Sequence, residues 1–273
     1  SIADRLSAIE AQEKPKADVI VIREGEEMGR LTGLRHKQAD ELLKLASAAL
    51  AYPGNGGLNI WLTGPAGSGK TFAVEQVCNA LGLEFVFHGS MSMPHELLGF
   101  VDAGGTYHEP FFVDAYRNGK GVLLDEVDAG SNEALLTLNA ALAGGKLALP
   151  NGEIVKRHPN FLCFGAANTF GGGATAEYVG RARIDAAFLD RFAIKLDWQY
   201  DADLERKLSG VDAWTDKVQA ARKKAADAGI KVLITPRATE AGAALIAAGM
   251  SHEDAARFTY LAALTEEQRQ MVS

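Results

Sequence analysis

The chain has 273 residues, 47% of them hydrophobic and 23% charged, which is enough for one large domain and a smaller one. Its 28 basic and 35 acidic residues give a net charge of -7, which disfavours strong nonspecific binding to nucleic acid. No apolar run approaches the roughly 18 residues that cross a bilayer, and the N-terminus lacks a signal-peptide pattern. We therefore expect a soluble, cytoplasmic protein without a membrane partner. Whether Ser1 is the native start is not decided by the sequence.

Residues 1–25 are predicted to form an N-terminal arm. Ile2, Leu6 and Ile9 have helical spacing, and an apolar strand-like run from Val19 to Ile22 follows them. A helix from about His36 to Ala51 comes next and ends at a glycine-rich break.

Short apolar runs then alternate with helical patterns. The predicted strands are Leu58–Thr63, Glu84–His88, Gly121–Asp125, Phe161–Ala166 and Ala193–Asp197. The predicted helices between them are Lys70–Leu81 and a helix capped by Ser131. This alternation predicts a parallel five-stranded sheet covered on both faces, in an α/β domain from 26 to 204. Strand signals stop after Asp203, so residues 205–273 are predicted to be a small all-helical domain. Its helix starts are Thr235-Pro236 and capping boxes at Ser251/Asp254 and Thr265/Gln268.

One loop carries the strongest chemical signal. Its residues are Gly64, Pro65, Ala66, Gly67, Ser68, Gly69, Lys70 and Thr71, which fit the pattern G-x-x-x-x-G-K-[ST]. A strand precedes the loop and a helix follows it, so backbone N–H groups would surround a β-phosphate at the positive end of the helix dipole. Lys70 would reach the β- and γ-phosphates, and the Thr71 hydroxyl would hold Mg²⁺. We therefore predict a P-loop that binds ATP.

Two adjacent acids end the third predicted strand. Asp125 and Glu126 follow an apolar run, where an unpaired carboxylate is costly without a function. Phosphoryl transfer supplies that function: Asp125 would hold Mg²⁺, and Glu126 would polarise the attacking water. We interpret Asp128 as a helix-start or surface residue rather than a ligand.

The order of motifs resembles that of AAA+ ATPases over roughly residues 30 to 270. The segment that ends in Asn168 is similar to the family's sensor 1, which implies that Asn168 orients the lytic water. Thr235-Pro236-Arg237 is similar to sensor 2, which implies that Arg237 contacts phosphate within its own subunit. The resemblance implies a three-layer P-loop sandwich followed by a helical lid.

The resemblance also implies an arginine that acts on the neighbouring subunit. Residues 186–192 are similar to the family's "hhDRF" segment, in which the arginine reaches the γ-phosphate held by the next subunit. Arg191 is our preferred candidate, Arg183 is second, and Arg181 stays open. A structural salt bridge is the alternative for each of them. An arginine acting between subunits implies a homo-oligomeric ring, and six subunits is the family's usual number.

Two further segments indicate a subgroup. More than thirty residues separate the second and third strands, so an insert interrupts the connecting helix. A hairpin signal around Asn151-Gly152 stands just before sensor 1. Together they resemble the MoxR-like group, which includes the CbbQ and CobS types of ATPase, and in which these elements face the ring pore. Phe111 and Phe112 are candidate pore contacts, with burial in the insert's own core as the equal alternative.

We therefore expect a Mg²⁺-dependent ring ATPase that remodels or activates an unidentified protein client. A nucleic-acid motor or loader is the main alternative, and a nucleotide-gated scaffold without turnover is another. The sequence contains no N-K-x-D motif for reading guanine. Cys78 and Cys163 are expected to be small buried hydrophobic residues. For His36 we favour an ordinary surface position over a contact with the adenine edge.

Overall fold

The computed structural model describes residues 18–23, 26–54, 57–169, 173 and 183–272. Within these ranges, no helix combines the length and the apolar character needed to cross a bilayer. The predicted helical pattern at Ile2, Leu6 and Ile9 lies outside the described residues, and so does Arg181.

The described residues form strands and helices in the order that the sequence predicts. The strands are β1 (Val19–Arg23), β2 (Glu26–Leu31), β3 (Ile60–Thr63), β4 (Phe85–His88), β5 (Phe100–Val101), β6 (Tyr107–His108), β7 (Gly121–Leu124), β8 (Lys146–Ala148), β9 (Ile154–Lys156), β10 (Leu162–Ala167) and β11 (Ile194–Asp197). The helices are α1 (Ala39–Leu50), α2 (Lys70–Ala80), α3 (His95–Leu98), α4 (Phe111–Asn118), α5 (Asn132–Ala143), α6 (Ala186–Asp190), α7 (Ala202–Ser209), α8 (Asp212–Asp227), α9 (Pro236–Ala247), α10 (His252–Thr259) and α11 (Glu266–Val272).

Five of the described strands form one parallel sheet in the order β11-β3-β10-β7-β4. The predicted α/β fold is confirmed, and β10 lies between β3 and β7. Because successive side chains of a strand point to opposite faces, each central strand contributes to two cores. Trp61 packs into the core on one face, while Ile60 and Leu62 pack into the core on the other. This two-sided burial explains why the central strands are apolar throughout.

An antiparallel hairpin of β1 and β2 precedes the sheet. Leu31 at its end is buried in the same core as α1 and α2. The sequence suggested an arm–domain boundary at residue 25, and β1 lies before this position and β2 after it. Strand pairing therefore attaches the described part of the arm to the α/β domain.

The insert predicted between the second and third strands consists of α3, the β5–β6 hairpin and α4. The structure separates its two candidate pore residues. Phe111 is 71% exposed, whereas Phe112 is 1% exposed and packs against the rings of Tyr116 and Phe161. The pore interpretation is therefore wrong for Phe112, which is a core residue. The predicted hairpin around Asn151-Gly152 is confirmed as β8–β9.

The helices from α7 to α11 form a helical lid with its own core around Trp214. Its predicted helix starts are confirmed by their hydrogen bonds. Ser251 Oγ accepts from the Asp254 N–H at 3.0 Å. In the second box, Thr265 and Gln268 exchange two bonds, of 3.0 and 3.3 Å, between side chain and backbone. These reciprocal bonds satisfy backbone donors that the first turn of a helix leaves unpaired.

Candidate functional site at the carboxyl edge of the sheet

The loop from Gly64 to Thr71 joins the carboxyl end of β3 to the first turn of α2. Gly69 has φ 85°, which an L side chain rarely adopts, and it immediately precedes the helix. At Gly64 an added Cβ would lie 2.0 Å from the Trp198 carbonyl oxygen, so that position has room for hydrogen alone. The two glycines therefore have different roles. Gly69 allows the positive φ at the turn into the helix, and Gly64 allows the Trp198 backbone to pack closely against the loop.

Lys70 is buried inside the curve of this loop. Its Nζ donates to the carbonyl oxygens of Gly64 at 2.8 Å and Pro65 at 3.1 Å. It also lies 3.4 Å from Asn168 Oδ1, at the end of β10. One ammonium thus links the loop to the predicted sensor 1 side chain, on the adjacent strand.

Thr71 and Asp125 meet across the sheet edge. Thr71 Oγ1 donates to Asp125 Oδ2 at 3.4 Å, and Asp125 Oδ1 accepts the Glu126 N–H at 2.8 Å. A hydroxyl and a carboxylate are oxygen donors of the kind that Mg²⁺ prefers, and Mg²⁺ usually keeps several waters beside one or two protein ligands. The donor set therefore fits the metal that the sequence predicts for Thr71 and Asp125.

The backbone at Glu126 is unusual. With φ 51°, it is the one described residue other than glycine that has a positive φ. Its carboxylate is exposed at the sheet edge. Residues held in the left-handed region cost of order 1–3 kcal/mol and occur preferentially at functional sites.

Asp128 is fully buried, so its interpretation as a surface residue was wrong. It lies in the 3₁₀ turn Val127–Ala129, where its Oδ2 accepts the Thr169 N–H at 3.1 Å and the Thr169 hydroxyl at 2.8 Å. Thr169 directly follows Asn168. The turn after the carboxylate pair is therefore bonded to the loop after β10, a contact between residues 41 positions apart.

His36 is also buried, which corrects its interpretation as a surface residue. Its ring stacks on Trp198 with centroids 4.3 Å apart. His36 Nδ1 accepts the Gln38 N–H at 3.1 Å, so Nε2 carries the proton and donates to the Gln199 carbonyl at 2.9 Å. The ring is thus fixed as one neutral tautomer.

Two aromatic residues that sequence reasoning missed support the loop from below. Trp198 Nε1 donates to the Ser68 carbonyl at 3.0 Å, and the Tyr200 hydroxyl donates to the Ala66 carbonyl at 3.0 Å. Both residues follow the last strand of the sheet, and their sequence signal was an aromatic pair in a polar stretch at a strand's carboxyl end. Two carbonyls of the loop are thereby bonded to aromatic side chains that follow the last strand.

A cavity lies between the loop and the lid. Its walls are mainly apolar, and its lining residues include His36, Phe72, Tyr200, Leu204, Leu208, Pro236 and Glu240. A mostly apolar cleft beside a phosphate loop has the character of a site for a flat, partly apolar ring.

The lid helix α9 begins against the loop. An added Cβ on Gly67 would lie 3.1 Å from Thr235 Cβ and 3.7 Å from Arg237 Cγ. Arg237 is exposed on this first turn, next to the phosphate-binding loop. The structure therefore brings the sensor 2 candidate to the same edge as Lys70, Asp125 and Asn168.

A buried ion pair joins three helices of the lid. Glu205, 3% exposed, accepts two bonds from Arg222, at 2.6 and 2.9 Å, and one from the Thr239 hydroxyl on α9. The Arg222 guanidinium lies 4.5 Å from the centre of the Tyr200 ring. Tyr200 in turn bonds to the loop, so α7, α8 and α9 are all connected to it.

Arg191 lies at the opposite edge of the sheet. Its carbonyl accepts from Asn59 Nδ2 at 2.8 Å, and Asn59 precedes β3, whereas the phosphate-binding loop follows β3. Four strand residues at about 3.3 Å each separate the two edges by about 13 Å. Arg191 Nε donates to Asn139 Oδ1 on α5 at 2.9 Å. The structure therefore does not bring Arg191 to the loop of its own chain.

Arg183, the second candidate, is exposed beside a groove between α5 and the segment that leads into α6. The groove is lined by Asn132, Leu135, Leu136, Asn139, Ile184, Asp185, Ala186 and Phe188. Arg183 and Arg191 thus both flank α5.

Comparisons with known proteins agree with this geometry. Residues 59–192 match the family described as "AAA domain (dynein-related subfamily)", a span that contains the loop, the carboxylate pair, Asn168 and Arg191. Residues 59–192 form a domain of the AAA+ ATPase family. The chain is 33% identical to midasin of Dictyostelium discoideum over 141 residues, which are 49% of this chain and 2% of midasin.

The predicted MoxR-like relationship is confirmed by a second relative. The aerobic cobaltochelatase subunit CobS of a Sinorhizobium species is 33% identical over 89 residues, which are 32% of this chain and 27% of CobS. The chain therefore spans only a small part of the length of these two curated relatives. The fold is also that of a RuvB variant from Thermotoga maritima, with a TM-score of 0.52 and 14% identity over 82% of this chain and 69% of that one.

The two cysteines of this AAA+ protein are buried, as predicted. Cys78 lies on α2 and Cys163 on β10. Burial away from water raises the pKa of each thiol to about 12. Both are therefore uncharged packing residues at neutral pH.

Proposed function

We propose that this AAA+ protein hydrolyses ATP with Mg²⁺ as a homo-oligomeric ring of six subunits that remodels or activates a protein client. One observation carries the proposal: Lys70 and Thr71 at the start of α2, Asp125 after β7 and Asn168 after β10 meet at one edge of the sheet. Each of them is a side chain that phosphoryl transfer requires.

The roles follow from the positions of the residues. The loop N–H groups and Lys70 would hold the β- and γ-phosphates, and Arg237 would contact phosphate from the lid. Thr71 and Asp125 would hold Mg²⁺, which when bound neutralises charge on the phosphate oxygens. Glu126 would accept a proton from the attacking water, and Asn168 would orient that water.

The cavity beside the loop would receive the adenine base. Phe72, Tyr200, Leu204 and Pro236 offer apolar surface to a purine ring, and Glu240 offers acceptor oxygens to an amino group. His36 would support this pocket through Trp198 rather than read the base, since its Nε2 proton is committed to Gln199.

The position of Arg191 supports ring formation. An arginine at the amino edge, about 13 Å from the loop of its own chain, would stabilise the transferring phosphoryl group only in a neighbouring subunit. Arg183 is the second candidate for this role, from the same side of α5.

The client would be a protein, as implied by the MoxR-like relationship and by the net charge of -7. The exposed Phe111 on the insert is the residue we propose to contact it, since a side chain of this size is 71% exposed there. Whether the client belongs to metal insertion, enzyme activation or another assembly is a question for a capture experiment.

Phosphate release by the purified chain tests the hydrolysis. We expect release from ATP with Mg²⁺, none with EDTA, and none from the Lys70→Ala variant. Wild-type chain at high concentration that releases no phosphate would instead support a nucleotide-gated scaffold. Stimulation by DNA that weakens as salt rises would support a nucleic-acid motor.

The ring and its client need separate measurements. Mass photometry with ATP should show a six-fold oligomer for the Glu126→Gln variant, and a monomer under those conditions would contradict the ring. The same variant, held with ATP in extracts of the native host, should capture a recurrent protein, whereas recovery of nucleic acid would contradict a protein client.

A further inference from the structure

Asp128 is a buried carboxylate for which the proposed reaction has no role so far. It is 0% exposed and lies two residues after Glu126. Burying a carboxylate is costly unless hydrogen bonds compensate for the lost water. Here Thr169 supplies two of them, from its N–H at 3.1 Å and its hydroxyl at 2.8 Å, both to Oδ2.

The two partners of this contact each adjoin a candidate catalytic residue. Thr169 follows Asn168, and the turn that holds Asp128 begins at Glu126. Glu126 has a positive φ, and its N–H is bonded to Asp125, so the carboxylate pair and the turn form one constrained unit. A bond from this unit to Thr169 therefore sets how far Asn168 lies from Glu126.

We infer that Asp128 is a positioning residue, which acts through Thr169 to hold Asn168 and Glu126 in the mutual arrangement that activates the lytic water. This rests on the proposed function. A water activated by one group and oriented by another requires both groups to be placed within a fraction of an ångström, and small misplacements lower the rate strongly. Nucleotide affinity depends on other contacts, chiefly those of the loop and Lys70.

A contact that only stabilises the fold would affect the protein differently from a positioning contact. Its loss would lower the melting temperature without a specific effect on the chemical step. A positioning contact lowers kcat while KM and nucleotide affinity stay near the wild-type values. Measuring kcat and KM separately therefore distinguishes the two roles. The reference is a variant that loses a buried hydroxyl elsewhere in the protein.

Thr169→Val is the main variant, because it removes the hydroxyl at nearly constant volume and keeps the backbone N–H bond. Thr169→Ser keeps the hydroxyl. Thr215→Val is the matched control: Thr215 on the lid helix α8 is buried like Thr169, and its hydroxyl donates to the carbonyl of Val211, just before that helix, at 3.1 Å. All three would be measured for steady-state ATP hydrolysis, binding of a fluorescent ATP analogue and thermal unfolding.

We expect Thr169→Val to lower kcat about 10- to 100-fold with KM and affinity within about twofold of wild type. Thr169→Ser should recover most of the rate, and Thr215→Val should keep it. Asp128→Ala should lower kcat at least as much. Adding Thr169→Val to Asp128→Ala should lower kcat little further, because both substitutions disrupt the same contact between Asp128 and Thr169.

The inference is overturned if Thr169→Val hydrolyses ATP as fast as Thr215→Val, or if its kcat falls only in step with its affinity. Should Asp128→Ala not fold, the valine and serine variants decide alone. Wild-type chain that binds ATP but releases no phosphate would overturn the proposed function together with this inference. Normal wild-type turnover with an unaffected Thr169→Val variant would overturn the inference alone.

Discussion

The two edges of the central sheet differ in how their functional candidates are held. At the carboxyl edge, Lys70 and Asn168 are 3.4 Å apart, and Trp198 and Tyr200 bond to the loop from beneath. At the amino edge, Arg191 is half-buried and has a side-chain bond to Asn139 of its own chain. The first edge is an assembled set of groups, whereas the second holds one arginine apart from them.

This difference shows which of the candidate site residues a single folded chain brings together. The carboxyl-edge residues come from strands that are paired with one another, so folding of the monomer assembles them. Arg191 is separated from them by the length of β3, about 13 Å, and no side-chain rotation removes that distance. This separation supports the proposal that a neighbouring subunit completes the site.

The largest expected effect is at the amino edge. Arg191→Ala should lower kcat by about 10³- to 10⁵-fold, as loss of an arginine acting on transferred phosphate does. Mixing it with Lys70→Ala subunits should restore part of the activity, because some interfaces then pair an intact loop with an intact arginine. Phosphate release as a function of mixing ratio measures this.

One control variant and one variant of the second candidate show whether that result is specific to Arg191. Arg257→Ala removes an exposed arginine of α10 that pairs with Asp254, and it should leave the rate unchanged. Arg183→Ala tests the second candidate. Absence of recovery on mixing Arg191→Ala with Lys70→Ala, together with recovery for Arg183→Ala, would transfer the role to Arg183.

The next effect in size is at the carboxyl edge. Glu126→Gln should lower turnover by about 10²- to 10⁴-fold because it removes the proposed base, while ATP binding and rings persist. Glu133→Gln, an exposed glutamate in the first turn of α5, is the matched control. Rapid hydrolysis by Glu126→Gln would show that the water is activated by a different group.

A smaller effect tests the support beneath the loop. Tyr200→Phe removes the hydroxyl that bonds to the Ala66 carbonyl but keeps the ring under Arg222. Loss of one such bond costs about 1 kcal/mol, so we expect about fivefold weaker binding of an ATP analogue. Tyr52→Phe, at an exposed position, should bind like wild type. Unchanged affinity for Tyr200→Phe would mean that the loop keeps its shape without this bond.

The smallest expected effect concerns the two buried cysteines, Cys78 on α2 and Cys163 on β10. Because the pKa of each thiol is raised to about 12, the reactive thiolate is scarce at pH 8. Neither cysteine should react with iodoacetamide at pH 8, with or without nucleotide, as measured by mass spectrometry. Unfolding in urea should expose both to labelling. Rapid labelling of the folded chain would show that the core between α2 and the sheet opens in solution.

The amino-acid sequence by itself determined much of the fold and of the candidate site. The strand, glycine-rich loop and helix around Lys70 are local in sequence, and so are the apolar run that ends in Asp125 and Glu126 and the hairpin at Asn151-Gly152. Local patterns of this kind depend on backbone conformation and hydrophobic spacing, which a single sequence contains. They were sufficient to predict the α/β fold, the AAA+ relationship and the candidate residues of the carboxyl edge.

Other properties were decided by the tertiary structure alone. The sequence favoured a surface position for His36 and a helix-start or surface position for Asp128, because polar side chains are usually exposed. Asp128 does lie in a 3₁₀ turn, but each residue is buried by a partner more than 40 positions away, Gln199 for His36 and Thr169 for Asp128. Phe111 and Phe112 are neighbours with opposite exposure, since one faces solvent and the other packs against Phe161. Burial and the distance from Arg191 to the loop depend on which strands are adjacent, and that adjacency is set by packing between segments that are remote in sequence.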